Sequence, residues 1–140
     1  MTIYVLHGPN LNILEKRDAS MYGGISQTSI FEKLVTSFQD IDFTFFQTNH
    51  EGEMIEMIQQ TEDADAFIVN LGAWTHYAYA IRDALEMKTS IVVDVHLSNI
   101  FERESFRKVN ILDNVSQKTF YGEKIQSYLK AVQYCKTKFA

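Results

Sequence analysis

Four short apolar runs alternate along this chain with segments whose apolar residues recur every three or four positions. Each run suits a buried strand and is too short for a helix; the runs are Ile3–Leu6, Phe43–Phe46, Ala66–Val69 and Ile91–Val95. The other segments have the spacing of amphipathic helices, around residues 30–38, 54–58, 77–85 and 125–132. Apolar strands that alternate with helices are typical of a parallel sheet covered on both faces.

A fifth apolar run, Val109–Leu112, completes the predicted set of strands. Five strands in 140 residues predict an α/β protein: a flavodoxin-like, doubly wound, five-stranded parallel sheet with helices on both faces. Ser29 and Glu32 have the spacing of a capping box at the start of the first long helix. No linker, repeat or low-complexity stretch interrupts the pattern, so we expect one domain over residues 1–140.

Composition and charge narrow the class of protein. Hydrophobic residues make up 46% and charged residues 22% of the chain, an ordinary globular mixture. The net charge of −5 argues against binding to nucleic acid or to an anionic membrane. One cysteine, Cys135, allows no internal disulfide, and the first residues have neither the basic start nor the apolar core of a signal peptide. We therefore expect a cytoplasmic protein.

The charge is unevenly distributed. Residues 1–100 carry nine more acidic than basic side chains, whereas residues 101–140 carry four more basic than acidic ones. This asymmetry fits either a solvated basic face on the last helix or a basic surface that meets the acidic surface of a neighbouring subunit.

Polar residues cluster just after the predicted strands. Three of the four histidines and most of the asparagines lie in the segments 8–12, 47–53, 70–76 and 96–99. In a doubly wound fold, ligands bind beyond the carboxyl ends of the strands. We therefore predict a functional site at this edge of the sheet.

Common catalytic and binding motifs are missing. The chain has no phosphate loop, dinucleotide-binding GxGxxG, HExxH or GxSxG motif. His50, His76 and His96 are irregularly spaced and no thiolate accompanies them, so we expect no metal site. Segment 23–29, rich in Gly, Ser and Thr, is open to two interpretations: a turn with a helix cap, or a helix N-terminus that holds an anion.

Two residue pairs suggest acid–base chemistry. Asp94 and His96 are two apart on a strand and so point to the same side. The carboxylate would stabilise a protonated imidazole and favour His96 as a general acid, unless the two are unconnected polar residues. Arg17 and Tyr22 lie in a long segment typical of a lid. A free tyrosine ionises only near pH ~10, so a tyrosinate base needs a nearby cation, which Arg17 could supply; any lid, however, can contain an arginine and a tyrosine.

Residues 3–107 resemble the type II 3-dehydroquinate dehydratases, small enzymes of the shikimate and quinate pathways. The resemblance rests on motifs in one order and spacing: Gly8–Asn12, Arg17 with Tyr22–Gly23, Asn49–Glu53, Asn70 with Gly72–Ala73 and Thr75–His76, Arg82–Ala84, Val95–Asn99, and Arg103–Glu104 with Phe106–Arg107. It implies an anti elimination of water from 3-dehydroquinate, through an enolate, to 3-dehydroshikimate. It also implies a homo-oligomer, a dodecamer built from trimers, that uses neither metal nor cofactor.

The resemblance implies a role for several of the matching residues. Tyr22 would be the base, assisted by Arg17, Asn10 would stabilise the enolate through a water, and His96 would protonate the departing hydroxyl. The substrate would be held by Asn70, His76, Leu97, Ser98 and Arg107. Its carboxylate would meet backbone N–H groups around Leu97 and Ser98, and Asp83 would approach from a neighbouring subunit.

Three features depart from the family pattern. Asp94 stands where the family usually has Glu, which predicts a looser orientation of His96. The lid has Asp18-Ala19-Ser20 where the family often has a proline after the arginine, so we expect a more flexible lid. Beyond Arg107 the chain diverges. These departures leave open the alternative of a catalytically reduced relative that binds small carboxylates.

Overall fold

The computed structural model describes residues 1–140. Strands and helices alternate as the apolar pattern predicts. The strands are β1 (Thr2–His7), β2 (Asp42–Gln47), β3 (Ala66–Asn70), β4 (Ile91–His96) and β5 (Lys118–Tyr121); the helices are α1 (Ala19–Tyr22), α2 (Gln27–Ser37), α3 (Glu51–Gln60), α4 (Tyr79–Glu86) and α5 (Ile125–Phe139). Short 3₁₀ segments cover Leu11–Lys16, Gly72–His76, Ile100–Glu102 and Ser105–Lys108.

The five strands form one parallel sheet in the order β2-β1-β3-β4-β5. Every residue of β3 is buried, because helices cover both faces of the sheet. Ala66 and Ile68 face the apolar cluster that includes α2 and α5, whereas Phe67 and Val69 face the cluster that includes α3 and α4. The prediction of a flavodoxin-like α/β fold is confirmed.

The predicted fifth strand at Val109–Leu112 is wrong. That segment is a turn that anchors onto the sheet: Leu112 is fully buried, and the Ile111 N–H donates to the Thr75 carbonyl at 3.0 Å. Its apolar residues therefore mark the anchoring of irregular chain. The real β5 is an exposed edge strand whose Lys118 and Thr119 give it no apolar run, which is why the sequence pattern missed it.

Helix α2 begins at Gln27, three residues before the first residue of the apolar spacing, Ile30. Its capping box is formed by Ser26 and Ser29: each hydroxyl oxygen accepts a hydrogen bond from the backbone N–H of the other residue at 3.1 Å. The predicted capping box of Ser29 and Glu32 does not form. Segment 23–29 is thus a turn with a helix cap. None of the helices combines the length and the apolar character that crossing a bilayer requires.

Candidate active site

A pocket of about 300 Å³ opens at the carboxyl ends of the strands. It brings together nine of the eleven predicted site residues: Asn10, Arg17, Tyr22, Asn70, His76, His96, Leu97, Ser98 and Arg107. Asp94 lies behind His96, and Asp83 lies elsewhere on the surface. The sheet edge therefore collects side chains that are far apart in the sequence, as the fold requires.

Two glycines let the turns after β1 and β3 pack against each other to form one wall of the pocket. A Cβ on Gly8 would overlap the Leu71 carbonyl, and the Gly8 N–H donates to the Asn70 carbonyl at 2.8 Å. Gly72 has φ +58° and lies against the Pro9 carbonyl. This close approach brings the Pro9–Asn10 turn beside Asn70.

Asn10 adopts a left-handed backbone conformation with φ 69°, which asparagine adopts more readily than most other non-glycine residues. Its N–H donates to Asn49 Oδ1 at 2.9 Å, and Gln47 Nε2 donates to the same oxygen at 3.1 Å. The Asn49 side chain, just after β2, thus braces the turn that presents Asn10 to the pocket.

The lid between β1 and α2 has local structure. The Asp18 carboxylate caps the short helix α1, accepting hydrogen bonds from the Ser20 N–H at 2.9 Å and the Ser20 hydroxyl at 2.7 Å. The hydrogen bond from the Ser20 hydroxyl lowers the pKa of Asp18 below its usual value. An aspartate cap therefore shapes the turn in which the family often has a proline.

Two guanidinium groups converge on the Tyr22 hydroxyl. Arg17 Nη2 donates to Tyr22 Oη at 2.7 Å and Arg103 Nη1 donates to it at 2.5 Å, in a site where Tyr22 is 8% exposed. The guanidinium carbon of Arg17 also lies 4.4 Å from the centre of the tyrosine ring. Buried charge-assisted donors of this kind favour the negatively charged oxygen of a tyrosinate.

Arg103 is not among the predicted site residues, although it belongs to one of the motifs that carry the resemblance. It lies 81 positions from Tyr22 in the sequence. No local spacing connects the two residues. Only the folded sheet edge brings the segment after β4 against the lid.

Asp94 and His96 form the predicted pair. The Asp94 carboxylate is completely buried, and its Oδ2 lies 2.9 Å from His96 Nε2, which leaves His96 Nδ1 as the nitrogen available to the pocket. Asn110 Nδ2 donates to the same Asp94 oxygen at 2.7 Å, whereas Oδ1 has no hydrogen-bond partner. Asn110 thus holds the side chain of Asp94, which is shorter than the glutamate that is usual in the family. Asn110 is not among the predicted site residues.

Hydrogen bonds to residues outside the pocket hold the remaining pocket residues in place. His76 Nδ1 lies 2.7 Å from the Val109 carbonyl, so this nitrogen carries the proton and Nε2 is an acceptor. Partial burial lowers the pKa of His76, which keeps the ring neutral at neutral pH. The carbonyls of Leu97 and Ser98 accept from the N–H groups of Lys124 and Gly122 at 3.1 Å, which fixes the orientation of these peptide groups.

Asp83 does not reach the pocket of its own chain. It lies on α4 with a side chain 69% exposed, 3.6 Å from Arg82 Nη1. His50 precedes α3 and is also absent from the pocket lining. No group of three or more His, Cys, Asp and Glu side chains is close enough together to hold a metal ion.

Comparison with known proteins adds a family and several relatives. The family described as Dehydroquinase class II matches residues 1–136. The 3-dehydroquinate dehydratase of Thermotoga petrophila is 40% identical over 141 residues, covering 99% of this chain and 96% of the relative. That of Leptothrix cholodnii is 42% identical over 137 residues, covering 95% and 92%. The crystal structure of a type II dehydroquinase from Butyrivibrio crossotus superposes with a TM-score of 0.93 at 34% identity and covers 97% of both chains.

Proposed function

The chain belongs to the class II dehydroquinase family, and on that premise we propose how its pocket removes water from 3-dehydroquinate. The protein is a hydro-lyase of the shikimate pathway and its product is 3-dehydroshikimate. The observation that carries the mechanism is the Tyr22 hydroxyl, which accepts hydrogen bonds from two arginines in a pocket also lined by His96.

Tyr22 is the base in this proposal. As tyrosinate it takes a proton from the carbon beside the substrate ketone, and the electron pair of that C–H bond moves into the carbonyl to form an enolate. Arg17 and Arg103 stabilise the tyrosinate because each donates a charge-assisted hydrogen bond to its oxygen. The lid that carries Arg17 and Tyr22 also excludes water from the reaction.

Asn10 stabilises the enolate oxygen, through a water molecule. Negative charge develops at that oxygen during the hard step, and a donor that is already in place stabilises it without reorganisation. The brace from Asn49 Oδ1 to the Asn10 backbone supports this role, because it holds the turn before substrate arrives.

His96 completes the elimination as the general acid. The enolate collapses to the conjugated enone, the C–O bond breaks, and the departing hydroxide takes a proton from His96 and leaves as water. Asp94, bonded to Nε2, stabilises the protonated ring and leaves Nδ1 to face the substrate. The base comes from the lid and the acid from the end of β4, so we expect them to act on opposite faces of the substrate ring in an anti elimination.

The other pocket residues hold the substrate. Asn70, His76 and Arg107 hydrogen-bond the ring substituents, with Arg107 near the ring hydroxyls. Backbone N–H groups around Leu97 and Ser98 meet the carboxylate. Each step thus has a side chain or peptide group to perform it, so the proposal includes no cofactor or metal.

The proposal extends to an assembly, a dodecamer built from trimers in which Asp83 enters the site of a neighbouring subunit. Two observations support a subunit contact around the start of α4. The Asp83 side chain is exposed, and so are the rings of Tyr77 and Tyr79 at the beginning of this helix. We further propose that residues 1–140 act as one catalytic domain in the cytoplasm, where Cys135 would remain the free, buried thiol that the structure has.

The direct test of activity is the appearance of conjugated-enone absorbance when purified protein meets 3-dehydroquinate. Tyr22→Phe should lose several orders of magnitude in kcat while it stays folded by circular dichroism, and Tyr134→Phe, on α5 outside the pocket, should behave as the parent protein. Near-normal turnover by Tyr22→Phe would remove Tyr22 from the role of base. Thermal stabilisation by quinate-like acids with no turnover would favour a binding module over the enzyme.

The assembly has its own test by complementation. Light scattering should give a particle of twelve chains, and a fully active monomer would refute the cross-subunit role of Asp83. Asp83→Asn and Tyr22→Phe should each be weak alone. A mixture refolded together should regain activity, because some sites then combine an intact Tyr22 with an intact Asp83 from a neighbour. No gain on mixing would place Asp83 outside the site.

A further inference from the structure

Behind Asn70, a line of polar side chains crosses the interior of the protein. Asn70 Nδ2 donates to Tyr128 Oη at 2.9 Å, Tyr128 Oη lies 2.9 Å from His7 Nε2, and His7 Nδ1 lies 2.8 Å from Gln27 Oε1. The residues come from β3, α5, β1 and α2. Tyr128 and His7 are completely buried, and only Asn70 lines the pocket.

The donors and acceptors in this line permit one consistent arrangement. Burial lowers the pKa of His7 to about 4, so the ring is neutral and carries a single N–H. Gln27 Oε1 can only accept, which places that hydrogen on Nδ1 and makes Nε2 an acceptor. The Tyr128 O–H therefore donates to His7 Nε2, and its oxygen accepts from Asn70.

The orientation of the Asn70 carboxamide is set from two sides. Asn70 Oδ1 accepts from the Gly72 N–H at 3.2 Å, and Nδ2 is bound to Tyr128. An amide has two N–H groups and two oxygen lone pairs. One N–H and one lone pair are thus left for the pocket, in a fixed arrangement.

We propose that Tyr128 and His7 are positioning residues for the reaction, which hold the Asn70 carboxamide with one donor and one acceptor directed at the substrate. The inference rests on the proposed role of Asn70 in substrate binding. Its independent support is the burial itself: two polar rings in an apolar core are costly unless they are fully paired, and every polar side-chain atom of His7 and Tyr128 has a partner.

Tyr128→Phe removes the hydroxyl and keeps the ring. We expect KM to rise about tenfold while kcat stays within about threefold, because Asn70 contacts the substrate in both the ground state and the transition state. Tyr134→Phe is the matched control, since Tyr134 lies on the same helix and the centre of its ring is 5.9 Å from the centre of the Phe120 ring. His7→Gln interrupts the line one residue further away and should show a smaller effect in the same direction, which covers the case in which Tyr128→Phe folds poorly.

A double-mutant cycle separates positioning from general stability. In an Asn70→Ala background, Tyr128→Phe should change kcat/KM by less than about twofold, because the residue through which it acts is gone. If the two losses simply multiply, the positioning role is refuted. The side-chain amide signals of Asn70 in the ¹⁵N spectrum should shift in Tyr128→Phe and hardly move in Tyr134→Phe.

The spectrum also distinguishes failure of this inference from failure of the proposed function. A parent protein that does not turn over 3-dehydroquinate refutes the function, and the amide signals and the His7 tautomer can still be read in that protein. A hydrogen on Nδ1 of His7 together with a shifted Asn70 amide would support the network. A hydrogen on Nε2, or an Asn70 amide that Tyr128→Phe leaves unmoved, would overturn it.

Discussion

Replacement of Arg103 by glutamine tests whether Tyr22 needs two cations. Arg103 Nη1 donates to Tyr22 Oη at 2.5 Å in a site where the tyrosine is 8% exposed, so little solvent screens the interaction. A hydrogen bond to a charged group contributes about 1.5–3 kcal/mol, which corresponds to roughly 10- to 100-fold in rate. Because Arg17 still donates at 2.7 Å, kcat should fall by that factor and not to background.

The assay for this change is enone formation at saturating 3-dehydroquinate. Lys108→Gln is the matched control, since it removes a neighbouring positive charge that does not line the pocket. In Arg103→Ala, added guanidinium at millimolar concentration should restore part of kcat, because it can occupy the space of the lost side chain. A value of kcat within about twofold of the parent protein in Arg103→Gln would refute the two-cation account.

The contacts of Asn110, Asp18 and His7 can each be tested by substitution. Asn110→Ala should lower kcat about tenfold with a smaller change in KM, because Asp94 Oδ2 loses the donor that holds it toward His96; equal kcat in steady-state assays would contradict this. Asp18→Ala should lower kcat about three- to fivefold, since the lid helix loses its cap, and Asp18→Asn, which keeps an acceptor oxygen, should recover most of the loss. His7 should make folding sensitive to acid. Its pKa of about 4 in the folded protein lies below the usual 6.5, so the unfolded chain binds a proton at higher pH than the folded protein does. The free energy of unfolding should therefore fall as the pH drops from about 6.5 to 4. The loss in the free energy of unfolding is about 3 kcal/mol for a pKa shift of this size. In urea unfolding, the stability of His7→Gln should depend less on pH than that of the parent protein. Identical pH dependence of the two proteins would contradict this role of His7.

The fold could be predicted because its central strands are buried on both faces. Each of the first four strands lies within two residues of its predicted bounds. The apolar runs of β1, β3 and β4 reflect burial, whereas β2 is a half-exposed edge strand that was found from its three phenylalanines. β5 could not be found in this way, because an exposed edge strand needs few apolar residues. The run at Val109–Leu112 was interpreted as a strand because it is apolar, but its buried residues Ile111 and Leu112 anchor an irregular segment to the core.

The candidate site was predictable in part. Residues that directly follow strands were found because parallel strands bring their carboxyl ends to one edge, and Asp94 with His96 was found because side chains two apart share a side. The hydrogen bonds of Arg103 to Tyr22 and of Asn110 to Asp94 were missed, because each joins residues across a tertiary contact that no local spacing reveals. The expected looser orientation of His96 also overlooked that Asn110 supplies a hydrogen bond to the shorter acid.

The proposed mechanism requires that Tyr22 remove a proton from one face of the substrate ring while His96 assists departure of the hydroxyl from the other face. The most direct measurement uses 3-dehydroquinate that carries deuterium at only one of the two hydrogen positions on the carbon between the ketone and the departing hydroxyl. Mass spectrometry of the product then shows which hydrogen is removed. Because Tyr22 and His96 act on opposite faces, deuterium anti to the hydroxyl should be lost and deuterium syn to it should be kept. Loss of the syn deuterium would contradict the mechanism.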